Sequence, residues 1–375
     1  MTAPTPVSPT VPTVPTVPTI TPRPTRSAAW AVCCGHYQPP TVADIALIQC
    51  ALQHARQVVV GLGGAYQARS PRQPLSWGER ADLILAALPE RDRTRLRFLP
   101  LREGPDAARG QADWRAGLAR LTQSTPAAEL LLVLPSPGER VHALCRQALA
   151  DSPVLDAAAL PPAQAPNAAA LRDAWFNTDN GLQALNRLSA QWPAAVLHGL
   201  REWHGQGHYE ALRTEWRALR QHRELWSVAP YPPVFVTVDA VVLCAGHVLL
   251  IRRGRAPGLG LLAVPGGFLE QDDTLLQSAL RELQEETRLG LPEAELAAAL
   301  RGVVVLDAPE RSQRGRTITH AHHFDLGQRP LPAVQGDDDA REALWVPVAD
   351  LAGLEDQFFD DHFMMLDHFL GLLPR

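Results

Sequence analysis

The sequence predicts an α/β protein in which two separate domains are joined by a charged helix. The chain has 375 residues, which is too long for one small domain and suits two. From Ser27 to about Gly205, apolar strand-like runs alternate with helical stretches, a pattern typical of a parallel sheet covered on both faces. A proline cluster and a new series of strands then indicate a second fold at residues 230–375.

The first 26 residues form a tract of Thr, Pro and Val in which "TVPTVPTVPT" repeats with a period of three. Prolines supply no amide donors for a helix or a sheet, so we expect a disordered or polyproline-like tail. A secreted mucin stalk has a similar composition. The basic start and apolar stretch of a signal peptide are not found here, and we therefore expect a cytoplasmic protein.

Charge, cysteine content and hydropathy exclude several classes of protein. The formal net charge is −5 and the basic residues are scattered, which argues against nucleic acid as a partner. No apolar run approaches the ~20 residues of a membrane-spanning helix, so no membrane partner is expected. The five cysteines lack C-x-x-C spacing and suit neither a disulfide framework nor a zinc site, which favours a reducing compartment.

Strands and helices are predicted in order along residues 27–205. The strand-like runs are "AAWAVCC", "QVVVGLG" and "ELLLVLP", and each is followed by a helical run: "VADIALIQCALQHA", "GERADLILAAL" and "ERVHALCRQALA". Residues 206–229 form the connection, in which His208 to Trp226 reads as a charged amphipathic helix before Pro230, Pro232 and Pro233.

The second domain begins with "VFVTVDAVVLCAGHVLLIRR", which predicts two antiparallel strands joined by a turn at Ala245 and Gly246. Further strands are predicted in "LRGVVVLD", "RTITHAHHFDL" and "EALWVPV", and "FFDDHFMMLDHFLGLL" predicts a closing helix. The histidines of "THAHHF" could mimic a metal cluster, but a strand with one wet face explains them more simply.

The clearest chemical pattern is "GGFLEQDDTLLQSALRELQEETRLGL", from Gly266 to Leu291. Thr274 can cap a helix whose apolar side carries Leu276, Leu280, Leu283 and Thr287. Glu282 and Glu286 are four residues apart and share a helix face, with Glu285 beside them. Three carboxylates can thus converge on one hard divalent cation, Mg²⁺ or else Mn²⁺, and Arg281 can add compensating charge by pairing with Asp273 or Glu285.

The same segment resembles the signature of the Nudix family: a glycine, five residues, an acid, seven residues, then Arg-Glu-apolar-x-Glu-Glu. Gly267, Asp273, Arg281, Glu282, Leu283, Glu285 and Glu286 fall on these positions. Two departures are visible, because Asp273 replaces the usual Glu and Arg288 replaces a glycine. The resemblance implies an α/β/α Nudix sandwich, catalytic roles for Arg281, Glu282, Glu285 and Glu286, metal binding by the three glutamates, and substrate binding at Gly266 and Gly267.

A bound metal ion would neutralise a pyrophosphate and activate a water molecule, and a further carboxylate would serve as the base. Candidates for this base are Asp337, Asp338, Asp339 and Glu342, among which the spacing does not choose. Arg311, Arg314 and Arg316 are candidates for binding phosphates or stacking on adenine.

The resemblance extends to bacterial two-domain proteins in which a nicotinamide-mononucleotide (NMN) adenylyltransferase precedes an ADP-ribose pyrophosphatase. "GHYQPPTVADIALIQ", "GER" and "NAAALRDAWF" match elements of the first domain and imply a Rossmann-like nucleotidyltransferase fold. Its catalytic positions are altered, with His36 for an arginine, Thr41 and Asp44 for two histidines, Ala43 for a glycine and Ala169 for a hydroxyl residue. Gln38, Arg80 and Arg172 persist.

These features predict a Mg²⁺-dependent hydrolase of a nucleoside diphosphate-linked small molecule, and ADP-ribose is the favoured substrate. The hydrolase domain follows a degenerate adenylyltransferase domain in the chain. The alternatives left open are a broader nucleotide-sugar or damaged-nucleotide pyrophosphatase, a still active adenylyltransferase in which His36 substitutes for a lost histidine, and a sensor of NAD metabolites without catalysis. Whether the chain forms a homodimer is also open.

Overall fold

The computed structural model describes residues 28–104, 106–135, 140–156 and 168–373. The predicted tail at residues 1–26 lies outside these ranges, as does Asn167 at the start of "NAAALRDAWF". No helix in the described residues is long and apolar enough to cross a membrane.

A parallel five-stranded sheet forms the first half of the molecule, with strand order β3-β2-β1-β4-β5. Its strands are β1 (Ala28–Gly35), β2 (Ala55–Leu62), β3 (Leu96–Pro100), β4 (Leu130–Leu134) and β5 (Val154–Asp156), and its helices are α1 (Val42–His54), α2 (Trp77–Ala86), α3 (Glu90–Arg93), α4 (Ala107–Leu121) and α5 (Arg140–Ala148), with a short 3-10 helix at Ala127–Glu129. Buried residues of α1 and α2 pack with one side of the sheet, and those of α4 and α5 with the other. This confirms the predicted parallel sheet covered on both faces.

Helices alone follow this sheet: α6 (Ala168–Phe176), α7 (Gly181–Arg187), α8 (Ala194–His204) and α9 (His208–Trp226), with a 3-10 helix at Ser189–Gln191. The bounds of α9 are those predicted from its amphipathic pattern. However, α9 is more than a linker, because Tyr209, Leu212 and Trp216 join a buried aromatic cluster with Trp175 and Trp203. The strand–helix alternation expected up to Gly205 therefore ends early.

The second half is built on a mixed sheet with the order β10-β11-β6-β7-β12. The strands are β6 (Val234–Cys244), β7 (His247–Arg253), β8 (Leu262–Ala263), β9 (Gly266–Phe268), β10 (Leu300–Leu306), β11 (Arg316–Asp325) and β12 (Ala340–Pro347), and the helices are α10 (Leu275–Thr287), α11 (Glu293–Ala298) and α12 (His362–Leu370), with a 3-10 helix at Val348–Gln357. Residues of α10 and α11 pack in one core and residues of α12 in another, which gives the predicted α/β/α sandwich. β6 and β7 pair antiparallel, as expected.

Polar contacts join the two halves. Arg102 pairs with Glu355 at 2.9 Å, and Arg109 pairs with the buried Asp367. Glu215 on α9 accepts the amide of Gly258 at 2.5 Å. A cavity of about 650 Å³ lies between the halves and is lined on both sides by charged residues, among them Arg172 and Arg311.

Two of the five cysteines are neighbours in the fold. The side chains of Cys34 on β1 and Cys145 on α5 lie side by side, with Cα atoms 7.2 Å apart. These residues are 111 positions apart, so their approach depends on the packing of α5 on the sheet and is not visible in the cysteine spacing. Cys33, Cys50 and Cys244 are free and buried.

Candidate active site

The positions of the acidic residues on α10 depend on where this helix begins, which is set by the N-cap residue Thr274. Thr274 caps the N-terminus: its hydroxyl accepts the amide of Gln277, and its own amide donates to Gln277 Oε1, which completes a capping box. Leu280, Leu283 and Thr287 are buried, as predicted, and Leu276 is partly buried. The opposite side of the helix therefore presents Glu282 toward Gly267 on β9, while Glu285 pairs with Arg281.

Two glycines on β9, Gly266 and Gly267, let this strand approach the acids. A side chain at Gly267 would place its Cβ 2.2 Å from Glu282 Oε1, and one at Gly266 would place it 2.6 Å from Asp239 Oδ1. Gly266 donates its amide to Glu286 Oε2 at 2.8 Å. A side chain at Gly266 would also meet the backbone carbonyl of Val238 at 2.4 Å, so close backbone approach requires this glycine, whereas one at Gly267 would displace the carboxylate of Glu282.

Glu286 is buried, with only 3% of its surface exposed. Burial raises the pKa of Glu286 to about 8, because only the amide of Gly266 and the charge of Arg253 oppose the loss of water while Glu282 and Asp239 add repulsion. Burial also raises the pKa of Glu282, with Glu285 and Asp338 adding repulsion and Arg281 opposing it. This part of the molecule holds more negative charge than its own residues neutralise.

Arg281 occupies the centre of the acids. Its Nη1 donates to Glu285 Oε2 at 2.8 Å, its Nη2 lies 3.0 Å from Glu282 Oε1, and its Nε lies 3.3 Å from Asp273 Oδ2. Both predicted pairings are therefore present. Although burial works against it, these three carboxylates raise the pKa of the Arg281 guanidinium.

The predicted convergence of Glu282, Glu285 and Glu286 is not preformed. Across the described ranges, no three His, Cys, Asp or Glu side chains are arranged as ready metal ligands. The contacts give the reason, since Glu285 is held by Arg281 and Glu286 by the amide of Gly266. The donor chemistry still suits a hard divalent cation, because the oxygens are carboxylates and Glu286 is buried among acids without a paired cation.

The four candidate bases are in different environments. Asp337 pairs with Arg288 at 2.6 Å, and this arginine is the main reason that the pKa of Asp337 is lowered. Asp339 pairs with Arg255 at 2.7 Å, and Glu342 lies 3.3 Å from Arg252. Asp338 has a left-handed backbone, with φ of 47°, and its charge acts on Glu282. Asp338 is exposed and, unlike the other three, forms no ion pair among the described residues.

The three predicted substrate arginines are also separated. Arg311 is buried and makes a bidentate pair with Asp361 at 2.7 and 3.0 Å. Arg314 lies over the ring of Phe268 at 5.1 Å, and burial lowers its pKa. Arg316 donates to the carbonyl of Asp307 on the outside of the sheet. Of the three arginines, only Arg314 lies against a residue of β9, namely Phe268.

Sequence reasoning missed Asp239, a buried acid in the middle of β6. Burial raises its pKa, with Arg311 and the hydroxyl of Thr319 opposing, and it acts on Glu286. The signal was present, because a single acid inside the apolar run "VFVTVDAVVLC" is costly to bury unless it has a task. Asp360 and Asp361 were likewise concealed within a predicted helix.

In the first domain, the altered positions are engaged in structural bonds. Asp44 accepts the amide and the hydroxyl of Thr41 at 2.7 Å each, so its carboxylate lies at the N-terminus of α1. Arg80 is completely buried and donates to the carbonyls of His36 and Gly63 at 2.6 Å each. Gln38 forms two bonds with the backbone of Leu75, at 2.8 and 3.1 Å.

The remaining positions lie near the cavity between the two halves. His36 pairs with Glu103 at 2.9 Å. Arg172 donates to the carbonyl of Gln38 at 2.7 Å. Burial lowers the pKa of Arg80 to about 10, while Glu103 opposes this shift. All three residues that persist from the adenylyltransferase pattern, Gln38, Arg80 and Arg172, therefore bind backbone.

Fold and acidic helix together define a Nudix hydrolase domain preceded by a Rossmann-like domain. Residues 234–369 match the model of the NUDIX domain. An ADP-ribose pyrophosphatase from Methanocaldococcus jannaschii is 33% identical over 152 residues, which cover 40% of this chain and 83% of that relative. The chain belongs to the Nudix family.

Similarity to solved structures covers both domains. A bifunctional NMN adenylyltransferase/ADP ribose pyrophosphatase from Francisella tularensis, complexed with AMP and a Mn ion, superposes with a TM-score of 0.83 at 26% identity, covering 92% of this chain and 99% of that chain. A nicotinamide/nicotinic acid mononucleotide adenylyltransferase from Acinetobacter baylyi is 37% identical over 65 residues, which are 17% of this chain and 35% of that relative. The two-domain arrangement predicted from the sequence is confirmed, while the domain bounds at 27–205 and 230–375 stay predictions.

Proposed function

We propose that this protein hydrolyses ADP-ribose to AMP and ribose 5-phosphate with Mg²⁺ or Mn²⁺, and that its first domain no longer transfers adenylate. The observation that carries the hydrolase proposal is Glu286, a buried carboxylate beside Glu282 and Asp239 that forms no ion pair within the described part of the chain, although the charge of Arg253 acts on it. A merely structural acid at this depth would be paired, as Asp361 is with Arg311. The substrate follows from the similarity to the pyrophosphatases of M. jannaschii and F. tularensis.

Glu282, Glu285 and Glu286 would hold the metal. When bound, the ion would neutralise the pyrophosphate and lower the pKa of a water molecule. Glu285 would bind the metal in place of its present ion pair with Arg281. Arg281 would remain paired with Glu282 and Asp273 and would keep the carboxylate of Glu282 oriented. The amide of Gly266 fixes the carboxylate of Glu286.

Asp338 is the proposed base. It acts electrostatically on Glu282, whereas Asp337, Asp339 and Glu342 are each within 3.3 Å of an arginine. A carboxylate that is not engaged in an ion pair accepts a proton more readily. We expect Asp338→Asn to lower kcat by roughly 100-fold and Asp337→Asn to change it by less than about twofold, in steady-state assays with Mg²⁺. A larger loss in Asp337→Asn than in Asp338→Asn would reverse this assignment.

Loss of adenylate transfer is proposed because Asp44 places a carboxylate at the start of α1, where amides and the helix dipole would otherwise attract phosphates. Thr41 and Arg80 are engaged in their own bonds. This domain would then serve to hold the hydrolase, through contacts such as Arg102 with Glu355.

A screen of the purified full-length chain tests the substrate proposal. Hydrolysis of ADP-ribose, NAD, diadenosine polyphosphates and oxidised dNTPs would be compared in Mg²⁺ by kcat/KM. We expect ADP-ribose to have the highest value. A higher kcat/KM for an oxidised dNTP would favour the damaged-nucleotide pyrophosphatase, and no hydrolysis of any compound would favour the sensor.

A further inference from the structure

Two loops of the hydrolase domain are held by residues that precede that domain in the chain. The β7–β8 loop comprises residues 254–261, and the β10–β11 loop comprises residues 307–315. Both loops line the cavity between the two halves of the molecule. The residues that hold them are Glu215 on α9 and Arg72 in the segment between β2 and α2, which both come before the residues 234–369 that match the NUDIX domain.

Glu215 binds the β7–β8 loop through two adjacent amides. Its Oε2 accepts the amide of Gly258 at 2.5 Å, and its Oε1 accepts the amide of Leu259 at 3.1 Å. Both oxygens of this half-buried carboxylate are therefore used by backbone donors of the hydrolase. Hydrogen bonds to a charged acceptor are stronger than those between neutral groups, so the loop is anchored to α9.

Arg72 binds the β10–β11 loop at two points. Its Nη1 donates to the carbonyl of Glu310 at 2.8 Å, and its backbone amide donates to Gln313 Oε1 at 3.1 Å. These two points lie on either side of Arg311 in the sequence, and Arg314 directly follows the second of them. The first half of the chain thus holds the loop that carries two of the predicted substrate-binding arginines.

The β7–β8 loop in turn positions Arg253 at the end of β7. Arg253 Nε donates to the carbonyl of Pro257 at 3.0 Å, and its guanidinium carbon lies 4.3 Å from the ring centroid of Phe359. The loop packs closely on the same ring, since a Cβ at Gly258 would lie 2.3 Å from it. Because Pro257 and Gly258 are consecutive, release of the Gly258 amide by α9 would also free the carbonyl that holds Arg253.

The three arginines that depend on these loops act on one buried acid of the site. Burial raises the pKa of Asp239, and three charges oppose this rise, those of Arg253, Arg311 and Arg314. Asp239 adjoins Glu286, so the three cations lie close to the acids of α10. Guanidinium groups at this position suit the phosphates of a nucleoside diphosphate, which they bind in a bidentate manner.

We propose that Glu215 and Arg72 are positioning residues of the hydrolase, through which the part of the chain before β6 holds both loops in the conformation that binds the substrate. This inference rests on the proposed function and adds to it a role for the first half of the chain in substrate binding. That role differs from docking of the two halves. The pair of Arg102 with Glu355 joins the halves at a position that belongs to neither loop.

Steady-state hydrolysis of ADP-ribose by the full-length protein in Mg²⁺ tests the proposal. Glu215→Ala removes both acceptors of the β7–β8 loop. If about one tenth of the molecules then keep the loop in its binding conformation, KM rises about tenfold. We expect kcat to stay within about twofold, because the carboxylates of α10 are untouched. Glu215→Gln keeps one acceptor oxygen and should raise KM by only about threefold.

Arg72→Ala tests the β10–β11 loop. It removes the bond to Glu310 but keeps the bond between the backbone amide and Gln313, so KM should rise by only about threefold. The matched control is Arg102→Ala, which also removes a polar contact between the two halves but frees neither loop. Its KM should equal that of the unmodified protein.

Hydrogen exchange without substrate reports the anchor itself. The amides of Gly258 and Leu259 should exchange about tenfold faster in Glu215→Ala than in the unmodified protein. In Arg102→Ala their exchange should be unchanged.

An unchanged KM in Glu215→Ala would overturn the proposal. A loss confined to kcat would also overturn it, because a merely structural residue lowers the fraction of folded enzyme and leaves KM unchanged. Unchanged exchange at Gly258 and Leu259 in Glu215→Ala would likewise overturn it. If the unmodified protein cleaves no ADP-ribose while exchange at these amides rises as expected, the proposed function is contradicted and the anchor between α9 and the loop is supported.

Discussion

Helices α1 and α10 begin with the same kind of cap but differ in the charge that the cap places at the helix N-terminus. Each has a threonine N-cap, Thr41 or Thr274, in a reciprocal capping box. In α1 the third residue of the box is Asp44, whose negative charge stays at the helix N-terminus. In α10 the corresponding residue is the neutral Gln277, and the acids lie one turn or more further along. The two caps therefore differ in charge, which is negative at the N-terminus of α1 and neutral at that of α10.

The neighbouring side chains extend this contrast. Around α1, Arg80 and Gln38 bind backbone carbonyls and amides, so their polar groups serve the fold. Around α10, Glu282 and Glu286 have raised pKa values because burial and other acids act on them with too little positive charge nearby. Buried acids whose negative charge is not balanced by nearby basic residues are typical of a site that binds a cation or a substrate.

The largest effect is expected when a carboxylate of α10 is removed, and it is a loss of hydrolysis. Glu286→Gln keeps an acceptor for the amide of Gly266 but removes one carboxylate charge, and we expect hydrolysis of ADP-ribose with Mg²⁺ to fall at least ~100-fold. The control is Glu293→Gln on the exposed side of α11, which should retain near-normal turnover. Near-normal turnover in Glu286→Gln would contradict the assignment of the metal site to the carboxylates of α10.

A pair of arginine substitutions separates structural from chemical roles. Arg80→Ala strips donors from the carbonyls of His36 and Gly63 and should lower the free energy of unfolding by about 3 kcal/mol in denaturant titrations. Arg281→Ala, on a partly exposed side chain, should lower hydrolysis by tenfold or more and change that free energy by less than about 1 kcal/mol. The contrast fails if Arg281→Ala proves the more destabilising of the two.

Metal binding should stabilise one domain and not the other. At 100 times its Kd, Mg²⁺ adds about 2.7 kcal/mol, so we expect the Tm of the hydrolase domain to rise by roughly 5–10 °C in scanning calorimetry. Glu286→Gln should lose more than half of this rise, whereas Asp44→Asn should keep it. An equal rise in all three proteins would place the cation elsewhere.

Local patterns allowed most of the fold to be predicted. The bounds of α9, the β6–β7 hairpin and the Thr274 cap follow from periodicity and capping chemistry that act within a few residues. The helices α6 to α8 were not foreseen, because short helical runs gain their stability from a shared aromatic core.

The site was less accessible to sequence reasoning. Its acids on α10 were found from spacing, but the burial of Glu286, the approach of Asp239 and the choice of Asp338 depend on how β6 and the turn before β12 pack on that helix. The approach of Cys34 to Cys145 and the pairing of Arg311 with Asp361 are likewise contacts between distant segments. No local signal encodes such contacts.

The most direct test of the central claim is NAD formation from NMN and ATP by the full-length protein, with hydrolysis of ADP-ribose measured on the same preparation. A variant with Thr41→His, Ala43→Gly and Asp44→His is assayed beside it, because these changes remove the carboxylate and restore donors that stabilise a leaving pyrophosphate. The account predicts rapid hydrolysis and no detectable NAD in the unmodified protein, and NAD only in the variant if the scaffold is intact. Robust NAD formation by the unmodified protein would contradict it and show that another group, such as His36, performs the transfer.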